Sequence, residues 1–316
     1  PKSTLNGYNL QGVASVYSMD NNQYLLEATA TYLKTFAKIH KINLLAGTSY
    51  EQFNYEGVNA GNNNFLTDGF IYNNLGAGGG NKIVGSGSSE NKMLSYFFRA
   101  NYILKDRYLL TATLRSDGAS VFARNHKWGY FPSFSAAWRV SEEKFMKNIT
   151  PISNLKLRLG WGTVGNDRIT NYLSMDLYSS SKYGIGQQMA TVLSPKQLAN
   201  KDLKWEGSTT ANLGIDVGLL DNRLNLTADF FLKNTKDLLL EQKLAYVTGF
   251  NSQWQNIGKI ENKGIELNIN STNIQTRNFL WQTDFNISFI KNTLKALQDG
   301  NTYIPVSYTH LRAHET

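Results

Sequence analysis

Three groups of residues could do chemistry if their neighbours cooperated. His310 and His314 stand four apart, a spacing at which one helix face offers two imidazoles to a metal. Their segment, "VSYTHLRAHET" (306–316), has no helix cap, no Glu beside the first His and no third ligand, so no metal site is expected. "SEE" (141–143) offers paired carboxylates. A glycosidase pair would face a cleft at a defined separation; here Ser141 and the acids precede Phe145 and Met146 and read as a helix N-terminus. "GAGGGNKIVGSGSS" (76–89) is glycine-rich, but Lys82 is not followed by Ser or Thr, so it reads as a flexible loop rather than a phosphate cradle. No G-x-S-x-G elbow is present. Neither an enzyme nor a cofactor is expected. With no cysteine in 316 residues, disulfides and thiolate metal sites are excluded.

What remains is binding chemistry carried by aromatic rings. Tyr55, Phe70, Tyr72, Tyr183, Trp205 and Trp254 lie in long segments rich in Asn and Gln, with Phe53, Phe65 and Tyr178 nearby. Flat rings stack on sugars, and amides both donate to and accept from hydroxyls. The same set would hold a peptide, and packing of loop on loop would use it equally well. Trp128 and Tyr130, in "RSDGASVFARNHKWGYFPS" (115–133), are further candidates for ligand contact. That motif reads even better as scaffold, with Asp117 and Gly118 making a turn and Pro132 fixing a strand entry.

Strands must position these rings. "RYLLTATLRSDGAS" (107–120) places Tyr108, Leu110, Ala112 and Leu114 on one face, with Leu109, Thr111, Thr113 and Arg115 on the other. Ten segments alternate in this way: 24–34, 42–51, 94–104, 107–120, 130–140, 154–163, 208–219, 223–233, 263–270 and 280–290. Their oily face carries residues such as Leu26, Phe98, Trp138, Leu159, Leu213, Leu226 and Phe285. Their other face carries Arg99, Arg115, Arg139, Lys156, Arg158, Asp216, Asp229, Glu266 and Asp284.

A soluble sandwich also has one polar face, so connection lengths decide. The short ones are 35–41, 105–107, 141–153, 220–223 and 271–279; the long ones are 52–93, 116–129, 164–207 and 234–262. They alternate, so every long connection falls on one side of an up-and-down meander. Outer-membrane barrels sort their loops like this, with short periplasmic turns and long external loops. The chain therefore reads as all-β, an antiparallel up-and-down transmembrane β-barrel whose oily face meets lipid and whose polar face lines a lumen. It has no run of eighteen apolar residues, and barrel strands need only about 9–11 residues each. The formal charge of +8 is scattered rather than clustered, so no nucleic-acid partner is expected.

Three blocks then resemble one family. "LLTATLRSDGASVFARNHKWGYFPSFSAAWRVSEEKFM" (109–146), "NLKLRLGWGTVGNDRI" (154–169) and "NIGKIENKGIELNI" (256–269) look like the SusC/RagA family, the TonB-linked outer-membrane transporters of Bacteroidetes. "FFLKNTKDLLL" (230–240) is similar to a further family segment. The family more often has a small polar residue where Val121 stands and Arg where Lys127 stands. The resemblance implies a 22-stranded barrel of the bacterial outer membrane, filled by a plug. It also implies a SusD-like lipoprotein lid, coupling to the TonB complex, and import of a glycan or, second, a peptide. About ten of those strands fall in residues 1–305, as an open sheet without plug or closing strands; 306–316 reads as a spurious tail. Within this frame Arg99, Arg115, Arg139, Arg158, Asp229, Glu266 and Asp284 line the lumen, and the aromatic residues above bind substrate in external loops. A soluble surface protein that binds carbohydrate is the alternative, distinguished by solubility without detergent.

Overall fold

The computed structural model describes residues 3–186 and 188–297, so the 306–316 tail and its histidines lie outside it. The described chain is nearly all strand: β1 (Val13–Phe36), β2 (His40–Asn63), β3 (Ile83–Leu104), β4 (Tyr108–Ala119), β5 (Trp128–Arg139), β6 (Ile152–Asn166), β7 (Tyr178–Ile185), β8 (Gln188–Pro195), β9 (Glu206–Leu219), β10 (Leu224–Lys236), β11 (Leu239–Lys243), β12 (Ser252–Asn256), β13 (Lys259–Gln275) and β14 (Leu280–Ala296). One short helix, Leu5–Asn9, precedes them. The sheet order is β1-β2-β3-β4-β5-β6-β9-β10-β13-β14, and β1 and β14 end that order without pairing to each other. All ten alternating segments are strands of this sheet.

Two expectations are corrected. β1, β2 and β3 run for 24, 24 and 22 residues, about twice the bilayer requirement. Beyond lipid depth a strand no longer needs an oily face, so polar stretches such as "SMDNNQ" pair without announcing themselves in hydropathy. For the same reason residues 83–89 of the Gly/Ser stretch are strand, not flexible loop. The long connections 164–207 and 234–262 each carry a hairpin of their own, β7/β8 and β11/β12.

The chain forms two compact units, Pro1–Leu26 with Ser49–Leu94, and Glu27–Thr48 with Ser95–Thr316. In the first, the connection after β2 folds back on that strand's end. The Asn62 side chain donates to the carbonyls of Leu75 and Gly78 at 2.9 and 2.8 Å. Gly80 has no room for a side chain, because a Cβ there would stand 1.6 Å from Asn63 Oδ1.

In the second unit, tight turns place Ala37 and Lys38 at φ 48° and 56°, and Lys105 and Asp106 at 53° and 55°. Paired left-handed residues match the twist of the strands they join. The oily face has no second layer over it: Leu213 is 52% exposed and Phe289 62%. A soluble sandwich would bury these side chains. The opposite face is polar and cross-linked.

Candidate functional site

The polar face is organised around Arg158. Its guanidinium donates twice to Asp216 and twice to Asp229, each bond 2.9 Å. Lys156 Nζ lies 3.7 Å from Asp216, and the Thr227 hydroxyl donates to Asp216 at 3.3 Å. Register explains the reach. Arg158 and Asp229 flank Gly214 from either side, and a Cβ on Gly214 would meet Asp229 Oδ1 at 2.5 Å and Arg158 Cζ at 2.6 Å. The glycine is the window through which β6 reaches β10. Planar two-fork pairing of this kind is a geometry only arginine supplies.

Further around that face, Arg115 donates Nε–H to Asp117 at 2.9 Å and Nη2–H to Ser95 at 3.0 Å, with the Phe97 ring beneath it. Asp117 and Gly118 were expected to make a turn. Both instead lie inside β4, with Asp117 buried on the side of Arg115. Gly118 is glycine because Trp128 lies flat against it: a Cβ would meet that ring at 2.9 Å. Glu266 on β13 is the register partner of Asp229 on β10, and Asp284 accepts from Asn270. Arg99 is exposed on β3. Arg139 ends β5, where its guanidinium reaches the Asp106 carbonyl at 3.5 Å.

The aromatic candidates separate. Trp128 and Tyr130 pair with Gly118 and Ser116, in continuous register with the pairs Leu114–Pro132 and Ala112–Phe134. Alternation therefore puts them on the outer, oily side, where Trp128 stacks on Tyr96 at 6.0 Å. On that face they suit the interfacial ring belt that membrane barrels carry. Trp205 anchors a small loop core. Its ring lies 5.0 Å from Phe122 and 5.3 Å from Phe131, and its indole N–H donates to the Lys127 carbonyl at 2.8 Å. Val121, Phe122, Ala123 and Leu203 are buried in the same loops. A small polar residue at Val121 would forfeit part of this core.

Tyr55 makes a hydroxyl pair with Tyr17, while Phe70 and Tyr72 are exposed on the connection after β2, where Tyr72 lines a recess with Phe65 and Ile71. Tyr183 is exposed on β7.

Trp254 alone of these rings joins a polar recess of the second unit, about 320 Å³ in volume, whose lining includes Lys196, Glu241, Phe250 and Gln253. Glu241 and Trp254 face each other directly across the β11/β12 hairpin. The recess is held open by amides. Asn200 donates to the Trp254 carbonyl, Gln253 to that of Ala199, and Gln197 to those of Tyr172 and Met175, all at 2.8–2.9 Å. Asn256 binds both the N–H and the carbonyl of Lys204. These four amides therefore bond to loop backbone. Glu241 and the carboxylate Glu143 (below) were missed as organising groups. For Glu241 hydropathy carried no signal, since neither "LLEQK" nor "SQWQN" alternates; only Gly249 between them, a turn residue at φ 77°, pointed to a hairpin.

At the opposite, short-turn end, "SEE" does not cap a helix. Val140–Glu142 is a single 3-10 turn without a side-chain cap. Glu143, 13% exposed, instead accepts from Tyr108 Oη at 2.7 Å, Trp138 Nε1 at 3.2 Å and Arg107 Nη1 at 2.8 Å. These donors, Tyr108 foremost, hold its carboxyl below the usual glutamate range against the opposing effect of desolvation.

An antiparallel meander with an uncovered apolar face, an ion-paired polar face and every elaborated loop on one side defines a wall of a membrane β-barrel. The chain belongs to the TonB dependent receptor-like β-barrel family, whose pattern it matches over residues 2–310, and it is of the SusC/RagA type. It is similar to TonB-dependent receptor P3 of Formosa agariphila, 38% identical over 301 residues that cover 95% of this chain and 30% of that protein. It is 40% identical over 220 residues to TonB-dependent receptor SusC of Bacteroides thetaiotaomicron, covering 68% of this chain and 22% of that one. Among solved structures it is similar to the RagAB peptide transporter, with a TM-score of 0.83 and 26% identity over 90% of this chain and 31% of that chain. It therefore spans about a third or less of each relative. Members of this family are outer-membrane receptors for transport, not enzymes.

Proposed function

We propose that the intact protein imports a nutrient across the outer membrane, taking it up between these external loops and a SusD-like lipoprotein lid. The TonB complex would act through parts outside this chain, and the ligand would cross chemically unaltered. A glycan is the favoured cargo. The observation that carries this reading is the recess in which the Trp254 indole stands opposite the Glu241 carboxylate. A ring face beside a carboxylate, one oxygen of which already accepts from Ser252, suits a sugar's apolar face and its hydroxyl rim. The likeness to SusC supports the same class of transporter.

The likeness to the RagAB peptide transporter favours a second reading, a peptide on the same loops. Calorimetric titration of the full-length protein with its lid, against soluble oligosaccharides and a random peptide library, tests both. Trp254→Ala should weaken oligosaccharide binding about tenfold. Unchanged affinity would remove the recess from the ligand path. Binding of peptides alone would move the cargo to the second reading.

A further inference from the structure

We propose that the short-turn rim between β1 and β4 binds the phosphate of an anionic phospholipid headgroup in the inner leaflet of the outer membrane. Three rings form a shelf on the lipid side of this rim. Phe36 stacks on His40 at 4.9 Å and His40 on Tyr102 at 6.0 Å, with the His40 Nδ1 and Tyr102 Oη 2.7 Å apart. Tyr102 shares its face with exposed Tyr96 and Phe98. Such a shelf marks headgroup depth, where rings meet acyl chain on one side and water on the other.

Lys34 precedes Phe36 by two residues on β1, so it projects on this lipid side between Tyr32 and Phe36. A charge placed there is costly unless it reaches an anion or water at the interface. Lys38 and Lys105 crown the two adjoining turns, exposed like Lys34. The turns are fixed relative to each other. Lys105 N–H donates to the Ile39 carbonyl at 2.8 Å, Lys41 pairs with Asp106 at 2.5 Å, and Arg139 N–H donates to the Arg107 carbonyl at 2.8 Å. The one acid in these two turns, Asp106, is engaged by Lys41, which leaves Lys34, Lys38 and Lys105 to face the leaflet. The turns 220–223 and 276–279 carry one arginine each, Arg223 near Asp221 and Arg277, and the strands they join place no lysine on the lipid side near the turn. The basic rim is therefore local, continuous with the apolar lipid face, and complementary to a phosphate. This inference is independent of the cargo, resting only on the membrane orientation of the family.

The test uses the full-length protein in nanodiscs of phosphatidylcholine, with and without phosphatidylglycerol, and counts retained lipid by native mass spectrometry after detergent extraction. Wild type should retain phosphatidylglycerol, with about a five-fold loss in Lys34→Gln and a similar further loss on adding Lys38→Gln. Lys34→Arg should retain it, and Lys201→Gln, an exposed lysine of the long-loop side, should change nothing; both control for folding and net charge. Equal retention in all variants would overturn the proposal. So would equal retention of phosphatidylcholine, or displacement of the lipid by inorganic phosphate alone, which would mark a site for free anions.

Discussion

The two ends of the sheet in the larger unit are held together by different means. At the short-turn end each turn is stitched to its neighbour through the main chain. Lys105 bonds Ile39, Arg139 bonds Arg107, Leu220 bonds Pro151 and Thr272 bonds Arg223, all at 2.7–3.0 Å. At the long-loop end the main chain has few such partners, and side chains replace them. A handful of rings around Trp205 makes a core, and Asn200, Gln253 and Asn256 tie loop to loop. Backbone stitching tolerates almost any side chain, so the turn end is free to vary its charge. Side-chain stitching demands particular residues, so the loop end trades freedom of sequence for a shaped surface. Low sequence tolerance at the loop end is therefore no proof of ligand contact.

The sharpest way to break this contrast is Trp205→Ala. Removing a large ring from a small core should cost about 3–5 kcal/mol locally. It should appear as hydrogen exchange and proteolysis of residues 116–127 and 199–206, with the barrel still resistant to unfolding in detergent. Global unfolding would show that the loop core and the sheet are one cooperative body. Leu213→Arg tests the region between the ends. On the lipid face near mid-strand it should destabilise the intact barrel by about 2–4 kcal/mol in equilibrium unfolding from bilayers. A cost near zero would put the oily face on the lumen side.

The ten strands were legible because burial in lipid imposes period-two alternation on every one of them, as Leu155, Leu157, Leu159 and Trp161 show. The same rule, carried back from Phe134, would have set Trp128 and Tyr130 on the outer face; the loop motif around them hid it. The upper halves of β1 to β3 were not legible, since water on both faces removes the pattern while leaving the hydrogen bonds. Arg158, Asp229 and Asp216 could be assigned to the polar face from parity alone. Their mutual pairing could not, because it depends on Gly214 lying between them, and register is not written in hydropathy. Glu143 was read as a cap from local context, whereas its partners Arg107 and Tyr108 come from a turn more than thirty residues earlier.

Two smaller effects sharpen the comparison further. Asn256→Ala should cost about 1–3 kcal/mol of local stability, since its amide serves Lys204 and Asp237 and leaves their backbone groups unpaired when removed. Faster exchange at Lys204 N–H, with that of Lys105 unaffected, is the expected signature. Glu143 predicts the smallest effect and the one with a definite sign. Its folded carboxyl lies below the ordinary value of 4.5, so the folded state binds a proton less readily than the unfolded chain. The clasp on Arg107, Tyr108 and Trp138 is therefore at full strength above that ordinary value and is lost as pH falls through the lower folded value. Glu143→Gln should flatten this acid limb of stability and leave the neutral range nearly unchanged, as measured by unfolding of the detergent-solubilised full-length barrel across the acid range. An acid limb of unaltered slope in the variant would mean that the turn end owes its strength to the main-chain stitches alone.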